Sequence, residues 1–384
     1  MKLFIIVIAF ILIAVIVIFG VDLYFWIKSL FSRYHIGRLE WDAWRKALED
    51  RTVCWLEHTP VVKITDNSRY ILFDMVKGRY RSKTIQSWQK AALILGLLAD
   101  KKKYAVNVID AASEMLNADG NWKSLPNHVD CGILSFAVMK ALGSQMTKNA
   151  MNETVHLIMS HLNSEGMIRY TNLVDDFDMY VDTIGLCCPF LVYYAREYSM
   201  PQYEKLAFEQ IKQFHQFGLL YKTNLPNHAY NTKNNLPLGV YGWGRGSGWY
   251  VIGLMDSYDN FVNKEIRDIV FEWIREAAEE YRLYQRDDGG FGSILQSPKT
   301  YDSSATAIMA WFFARCSKLF ANDEYYKVAL KCLNKLRMCT RINGAIDWCQ
   351  GDTKGIGIFS QTYDIMPFAQ GMTLRALGEL DQQL

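Results

Sequence analysis

Apolar residues recur at intervals of three and four in twelve successive segments of this chain. That spacing places the apolar side chains on one face of an α-helix, as in helices that pack against a core. No series of alternating strands interrupts the segments, and no linker rich in proline or serine divides them. The segments are 39–57, 85–99, 104–117, 130–142, 148–163, 181–198, 202–216, 245–260, 263–286, 303–320, 323–339 and 366–379. The sequence therefore predicts one continuous all-α domain.

A glycine turn with a short aromatic or β-branched stretch recurs after every second predicted helix, from the third onward. Glycine supplies a positive φ angle without a clash from Cβ, so we expect it to end each of these helices. Such recurrence indicates a repeating helical hairpin. The turns are Asp119-Gly120-Asn121-Trp122, Glu165-Gly166-Met167-Ile168, Phe217-Gly218-Leu219-Leu220, Gly289-Gly290-Phe291 and Asn343-Gly344-Ala345-Ile346.

Six such hairpins could stack as an open solenoid or close into a ring. The even-numbered helices are more apolar and richer in small residues, as in Cys131-Gly132-Ile133-Leu134, whereas the odd-numbered ones carry lysine and glutamate, as in Glu204-Lys205. This contrast is typical of an inner and an outer layer, and we predict a closed (α/α)6 toroid of six helical hairpins. All inner helices of such a ring run in the same direction, so their N-termini share one mouth.

An unbroken apolar run, Leu3 to Val21, precedes the helical repeats. At 1.5 Å rise per residue its length nearly matches the ~30 Å hydrocarbon core of a bilayer. A secretory signal would have a shorter apolar region and a small-x-small cleavage site, but here the run continues into Tyr24-Phe25-Trp26. We therefore predict an N-terminal transmembrane helix, with residues 1–34 as the anchor and juxtamembrane segment and 35–384 as the folded domain.

Two weaker signals concern the side of the membrane. Five basic residues lie between positions 28 and 46, and the positive-inside bias places such residues in the cytoplasm. Cys187 and Cys188 are adjacent in an apolar helix, which is typical of reduced, buried thiols rather than of a disulfide framework. Both signals favour a cytoplasmic domain on a bacterial inner membrane, and a periplasmic domain stays open.

Charge and composition narrow the class of partner. The formal net charge is +2, with no basic block suited to nucleic acid. No cysteine–histidine spacing matches a zinc site, and no glycine-rich loop follows a strand, so no metal or nucleotide cofactor is predicted. Aromatic residues make up 14% of the chain. They fill cores in most proteins, but sugar-binding clefts also use them as flat platforms.

Polar and aromatic side chains stand at the start of every inner helix. An aspartate there has a structural explanation, because it accepts unpaired backbone N–H groups. Repetition at six helix starts indicates a shared site instead, suited to a polar, ring-shaped, anionic ligand, with Arg245 facing a carboxylate. In chain order these residues are Gln86, Trp88 and Gln89; His128 and Asp130; Asp182 and Thr183; Trp243, Arg245 and Trp249; Asp302, Ser303 and Ser304; Pro367 and Gln370.

Five motifs occur in order along the chain. They are His128-Val-Asp130-Cys-Gly, Val181-Asp182-Thr-(x)5-Pro189-Phe-Leu, Trp243-Gly-Arg245-Gly-Ser-Gly-Trp249, Asp302-Ser-Ser-Ala-Thr-Ala and Pro367-Phe-Ala-Gln370-Gly. The ordered set resembles the unsaturated glucuronyl and unsaturated rhamnogalacturonyl hydrolases, glycoside hydrolase families 88 and 105, over roughly residues 40–380. Within them the chain looks most similar to a divergent branch associated with bacterial exopolysaccharide and capsule biosynthesis. The resemblance implies a six-hairpin toroid.

The resemblance also implies an unusual hydrolysis. The substrate is an oligo- or polysaccharide that ends in a uronate with a C4=C5 double bond. In the family one aspartate protonates this vinyl ether, water adds at C5, and the resulting hemiketal falls apart. Asp182 matches that acid, which must hold a proton near neutral pH. Asp130 matches the family's second aspartate, and we expect its charge to raise the pKa of Asp182 while it orients the sugar.

The resemblance and the helix starts together nominate substrate-binding residues. His228, in Asn227-His228-Ala229-Tyr230, matches a substrate-contacting histidine loosely, and a surface histidine is the alternative. For Arg245 the alternative is a salt bridge to Asp302. The full set of substrate-binding candidates is Trp88, His128, His228, Trp243, Arg245, Trp249, Asp302 and Gln370.

Two other functions stay open. One is a non-catalytic, membrane-tethered protein that binds glycan during exopolysaccharide or capsule assembly. The other is a toroid that acts on isoprenoids, suggested by the glycine turn Asp287-Asp288-Gly289-Gly290-Phe291-Gly292. The chain lacks an Asp-x-Asp-Asp motif, and a helix stop explains that turn.

Overall fold

The computed structural model describes residues 1–60, 62, 66–78, 86–172, 177–297 and 299–381, without the side chains of Lys101 and Lys102. Residue 85, at the start of the second predicted helix, and residues 382–384, at the end of the predicted domain, lie outside this set. The described helices, numbered in chain order, are α1 (Lys2–Arg33), α2 (Trp41–Glu57), α3 (Ile71–Val76), α4 (Ser87–Leu97), α5 (Lys101–Ser113), α6 (Cys131–Leu142), α7 (Ser144–Ser160), α8 (Val181–Tyr198), α9 (Pro201–Phe217), α10 (Gly244–Tyr258), α11 (Lys264–Tyr281), α12 (Ser303–Leu319), α13 (Asp323–Met338) and α14 (Pro367–Asp381).

Twelve of these helices form a closed double ring, as predicted. The inner helices are α4, α6, α8, α10, α12 and α14; each packs against the next, and α14 packs against α4 to close the circle. Glycine permits this closing contact, because a Cβ atom on Gly371 would lie 2.0 Å from the carbonyl oxygen of Ala92. The outer helices are α2, α5, α7, α9, α11 and α13.

Burial differs between the two layers, which explains their compositions. The first twelve residues of α12, Ser303–Ala314, are all buried, whereas α11 buries one face and exposes its lysine and all its glutamate side chains except the half-buried Glu280. A helix that is apolar all round needs neighbours on every side, while an amphipathic helix can face water. The prediction that every second one of the twelve predicted helices lies in the inner layer is therefore confirmed.

The turn glycines have two different structural roles. Gly120, Gly166, Gly289 and Gly344 have φ angles from 75° to 85°, as predicted, but they lie in turns beyond the ends of their helices and do not end them. Gly218 does follow α9 directly, yet its φ angle is −90°, so the prediction of a positive angle is wrong there. A side chain is excluded at Gly218 for a different reason, because its Cβ would lie 2.6 Å from the ring of Phe214.

Short strands, which were not predicted, lie in the connections that lead from an outer helix to the next inner helix. Three form an antiparallel sheet, β1 (Asp178–Tyr180), β2 (Ala229–Asn231) and β3 (Leu236–Leu238), in that order, and β4 (Cys349–Gln350) pairs with β5 (Tyr363–Asp364). These connections run from the C-termini of outer helices to the N-termini of inner ones. The strands therefore lie at the end of the ring where the inner helices begin, which we call the mouth.

The N-terminal helix α1 is, within the described part of the chain, the one helix long and apolar enough to cross a membrane. Its side chains from Leu3 to Ile13 are all exposed. All eight cysteines are free thiols, and seven of them are buried. Burial raises the pKa of the Cys188 thiol, which keeps it protonated near neutral pH.

Candidate functional site

Strand pairing brings Asp182 and His228 together at the mouth. Tyr180 of β1 pairs with Ala229 of β2, and the N–H of Val181 donates to the carbonyl oxygen of His228, 3.0 Å away. Asp182 lies in the first turn of α8 and His228 directly precedes β2. Nε2 of His228 consequently lies 3.7 Å from Oδ2 of Asp182, both side chains being buried.

His228 is a neutral imidazole with its proton on Nε2. Burial, followed by the charge of Arg245, lowers the pKa of His228 to about 4. Its Nδ1 accepts a hydrogen bond of 3.1 Å from the N–H of Gly357 and so carries no proton. The protonated Nε2 therefore faces Asp182, although 3.7 Å is too long for a hydrogen bond.

The Asp182 carboxyl group holds a proton far more readily than an ordinary aspartic acid. Burial raises its pKa to about 7, against the lowering effect of Arg245, and the negative charge of Asp352 raises it further. Its Oδ2 is buried and has no hydrogen-bond partner among the described residues. The negative charge with the largest effect on this pKa is that of Asp352, and not that of Asp130 as expected.

Tyr170 connects Asp130 with Asp182. Burial raises the pKa of Tyr170, and the negative charges of Asp182, Asp352 and Asp130 raise it further in that order, so all three carboxylates are near enough to act on this phenol. Tyr170 stacks on Tyr180 with ring centroids 4.8 Å apart. The mouth thus brings the two predicted catalytic aspartates into one cluster.

His128 lies beside Asp130 on this cluster. Its Nδ1 is 3.3 Å from Oδ1 of Asp130, and its ring meets Tyr170 edge-on at 4.7 Å. The His128 side chain is 40% exposed, whereas that of Asp130 is 11% exposed. The pair therefore borders the solvent-accessible side of the site.

Arg245 lies in the first turn of α10, the inner helix next to α8, and is almost completely buried. Its guanidinium donates to the carbonyl oxygens of Gln350 at 2.7 Å and Gly351 at 2.8 Å. Among the described residues no ion pair joins Arg245 to Asp302, so the alternative considered for Arg245 is not found. Arg245 instead fixes the main chain that leads directly to Asp352.

Two tryptophans pack against Arg245, and a third packs behind one of them. The guanidinium lies over the rings of Trp88, at 5.7 Å, and Trp243, at 5.3 Å. Trp249 of α10 meets Trp88 edge-on at 5.8 Å and packs against Phe368 of α14, with ring centroids 4.9 Å apart. All three predicted tryptophans are buried and form the base of the mouth.

Asp302 and Gln370 have structural roles and lie fully buried. Asp302 begins α12, where its carboxylate accepts hydrogen bonds from the N–H and Oγ of Ser304 and from the N–H of Gln350. Gln370 accepts from the N–H of Ile346 and donates to the carbonyl oxygens of Leu48 in α2 and of Gly344 in the turn after α13. The carboxylate of Asp302 and the side-chain amide of Gln370 are thus already occupied by hydrogen bonds within the protein. We therefore leave these two residues out of the proposed substrate-binding set.

Four residues at the mouth were not singled out from the sequence. They are Tyr170, Tyr180, Asp352 and Phe359; Phe359 stacks on His228 with ring centroids 5.5 Å apart. All four stand in outer-to-inner connections, and the predicted ring places every such connection at the mouth. Their position in these connections could therefore have identified them as candidates from the sequence.

The described residues contain no group of three or more His, Cys, Asp or Glu side chains placed to hold a metal ion. The polar groups described at the mouth are carboxyls, two imidazoles, phenols and one guanidinium. This arrangement can donate a proton from Asp182, hold sugar hydroxyls and attract an anion.

Comparisons with known proteins agree with this architecture. The model of Glycosyl Hydrolase Family 88 matches residues 77–383. No curated protein is significantly similar to the chain in sequence.

Solved structures resemble the whole domain. A possible member of glycoside hydrolase family 105 from Klebsiella pneumoniae aligns with a TM-score of 0.72 at 17% identity, over 90% of this chain and 94% of that one. A family 105 hydrolase from C. acetobutylicum gives 0.67 at 16% identity, over 80% and 97%. The unsaturated glucuronyl hydrolase of Bacillus sp. GL1, responsible for the degradation of glycosaminoglycan, gives 0.63 at 16% identity, over 89% and 96%. At these identities the similarity to the three structures concerns the fold.

Proposed function

Because the chain belongs to glycosyl hydrolase family 88, we propose that it removes a C4=C5 unsaturated uronate from the end of an oligo- or polysaccharide, with Asp182 as the general acid. The observation that carries this proposal is a buried carboxyl group with a pKa of about 7 and an oxygen, Oδ2, that has no hydrogen-bond partner among the described residues. Such a group can hold a proton at neutral pH and deliver it.

The proposed reaction consumes one water molecule. Asp182 gives its proton to C4, and the positive charge that develops at C5 is shared with the ring oxygen. Water then adds to C5 and returns a proton to Asp182, which restores the acid. The C5 hemiketal opens by breaking its bond to the ring oxygen, and the hemiacetal left at C1 releases the remaining sugar as an alcohol.

His228 and Arg245 shape the electrostatics of this step. A neutral imidazole beside Asp182 adds no positive charge that would stabilise the carboxylate, so the acid keeps its proton. Arg245 provides the positive charge that attracts the uronate, and its hydrogen bonds to Gln350 and Gly351 hold Asp352 near Asp182.

Asp130, His128 and Tyr170 form the proposed sugar-binding side. Their carboxylate, imidazole and phenol groups border solvent and can pair with the hydroxyls of a uronate ring. Trp88 and Trp243 pack against the Arg245 guanidinium, and Trp249 packs against Trp88. Their burial suggests that they shape the pocket more than they stack on a sugar.

We propose that α1 is a membrane anchor and is not a cleaved signal sequence. The helix runs on without a break from the apolar stretch to Arg33, which forms a bidentate ion pair with Asp347 at 2.7 and 2.9 Å. The carboxylate of Asp22 accepts hydrogen bonds from main-chain N–H groups at the start of α3. Removal of α1 would break both contacts. The unpaired cysteines and the basic residues after the span favour the cytoplasmic face of a bacterial inner membrane.

The test is the ultraviolet absorbance of lyase-generated unsaturated uronate oligosaccharides incubated with the full-length chain in detergent, beside Asp182→Asn. Loss of the conjugated-alkene signal with the wild type only would support the proposal. Binding of saturated and unsaturated glycans without any loss of that signal would overturn it in favour of a non-catalytic glycan-binding protein in polysaccharide assembly.

A further inference from the structure

We infer that residues 66–78 form a second membrane contact beside α1, and that the mouth of the ring consequently faces the lipid bilayer. This inference rests on the proposed anchor and goes beyond it. It assigns a lipid-facing surface to a segment outside the (α/α)6 ring and an orientation to the site.

The first observation is an exposed apolar face on the short helix α3. Tyr70, Phe73, Met75 and Val76 are all exposed, Val76 at 80% of its surface. Its one acidic residue, Asp74, is buried and accepts a hydrogen bond from Asn67 at 2.7 Å. An apolar outer face with its carboxylate turned inward suits the interface of a bilayer better than water.

The second observation is the place where this face meets α1. Both oxygens of Asp22 accept main-chain N–H groups at the start of α3, from Tyr70 at 2.7 Å and from Ile71 at 2.9 Å. The Tyr70 ring lies 6.1 Å from that of Phe19. Asp22 is the first charged residue after the apolar run 3–21. The start of α3 is therefore fixed at the level where the anchor leaves the hydrocarbon.

The third observation concerns charge. Arg69 and Lys77 flank α3, and both are exposed. Basic side chains beside an apolar face can reach anionic lipid headgroups while the apolar side chains enter the interface. The bilayer accordingly fits both the apolar and the charged parts of this segment.

The fourth observation ties the other end of the segment to the mouth. Asp66 accepts hydrogen bonds from the hydroxyls of Ser360, at 2.5 Å, and Thr362, at 3.3 Å. Both hydroxyls belong to the connection between α13 and α14. The same connection carries Asp352 and Gly357 of the candidate site.

The anchor docks on the same connection. Arg33 binds Asp347 and the carbonyl oxygen of Tyr363, at 3.0 Å. From Arg33 back to Asp22 the helix rises roughly 16 Å. The segment 66–78 thus spans from the mouth to the bilayer alongside α1. A glycan that extends from the membrane surface by about that distance would meet such a mouth.

The experiment uses the full-length chain in nanodiscs of phosphatidylethanolamine and phosphatidylglycerol. Single cysteines are introduced at Val76→Cys, Ile358→Cys, Val262→Cys and Leu12→Cys in a Cys54→Ser background and labelled with an environment-sensitive fluorophore. The other native cysteines are buried, so they do not react without unfolding. Val262 is the matched control, a valine 69% exposed in the turn between α10 and α11, at the end opposite the mouth.

Two readouts are taken from each labelled variant. Quenching by lipids with a nitroxide near the headgroup reports contact with the interface. Energy transfer to a dye-labelled lipid reports distance from the bilayer. We expect strong quenching at Val76 and none at Val262, and higher energy transfer from Ile358, at the mouth, than from Val262.

Each result has one interpretation. If Leu12 is quenched by deep nitroxides while Val76 behaves like Val262, the anchor stands and the inference is wrong. Equal or greater energy transfer from Val262 than from Ile358 overturns the orientation of the mouth. If Leu12 is not quenched, the proposed anchor itself fails.

Discussion

Nε2 of His228 lies 3.7 Å from Oδ2 of Asp182, with the N–H of Gly357 bound to the other ring nitrogen. One strand pairing, Tyr180 with Ala229, sets this distance. The gap exceeds a hydrogen bond, so the buried carboxyl oxygen stays available to a ligand. The neutral imidazole of His228 and the protonated carboxyl group of Asp182 face each other across this gap. The protonation state of each group can be measured.

Replacing Asp182 by asparagine should lower kcat by roughly two to four orders of magnitude, because the amide cannot donate a proton at C4. The measurement is the rate of alkene loss under substrate saturation. Asp119→Asn, at an exposed turn, is the control and should keep wild-type activity. A residual rate in Asp182→Asn within about threefold of wild type would remove Asp182 from the mechanism.

Activity should fall as pH rises through about 7, since the acid must be protonated and the pKa of Asp182 is about 7. The same shift affects folding. Between about pH 4 and pH 7 the native state binds more protons than the unfolded state, so Asp182 costs stability as pH rises across that window. Asp182→Asn should therefore be more stable than wild type at pH 8, on the order of 2–4 kcal/mol, and nearly equal at pH 4, as measured by chemical denaturation.

Removing the charge of Asp352 should move this pH profile toward lower pH, because Asp352 raises the pKa of Asp182. Asp352→Asn keeps the shape of the side chain and removes the charge. The descending limb of kcat against pH gives the readout, again beside Asp119→Asn. An unmoved limb would mean that Asp352 does not act on Asp182.

His228 should stay neutral to near pH 4, with its proton on Nε2. Nitrogen NMR of histidine-labelled protein distinguishes the two neutral tautomers and follows the titration, and His228→Gln identifies the signal. A titration midpoint near 6.5 would contradict the burial of this imidazole.

Arg33→Ala should destabilise the domain by about 1–3 kcal/mol, because Asp347 is fully buried and loses one of its two arginine partners. Arg33→Lys should recover part of this loss, since an ammonium group cannot reproduce the bidentate pair. Thermal unfolding in detergent measures both, with Lys28→Ala, an exposed position on the same helix, as the control.

The ring could be predicted from the sequence because its cause is local and repeated. Helical periodicity, and the contrast between apolar inner helices and outer helices with charged faces, indicate which face of each helix is buried. Glu204 is an exception, because it is buried and accepts hydrogen bonds from the N–H groups of Val262 and Asn263. The helices found lie within a few residues of those predicted. Asp182 could also be found, since it begins an apolar inner helix.

The contacts of individual side chains were harder to predict, because they depend on the mouth connections. The carboxylate acting on Asp182 is Asp352, whose loop follows no helical period, and Tyr170 gave no signal beyond its place in a connection. Asp302 and Gln370 stand at inner helix starts as Asp182 does, yet they turn to the main chain. Helix starts therefore predict nearness to the mouth, while the direction of a side chain depends on long-range packing.

The contact between Gly371 and Ala92 joins the first inner helix to the last element of the chain. A ribosome releases α4 long before it releases α14, so the circle cannot close until α14 has been synthesised. During synthesis the apolar flank of α4 has no permanent neighbour, and an early stop codon before α14 would leave it so. If α1 has inserted by then, this exposed intermediate is held at the bilayer, where chaperones that work at the membrane would meet it first.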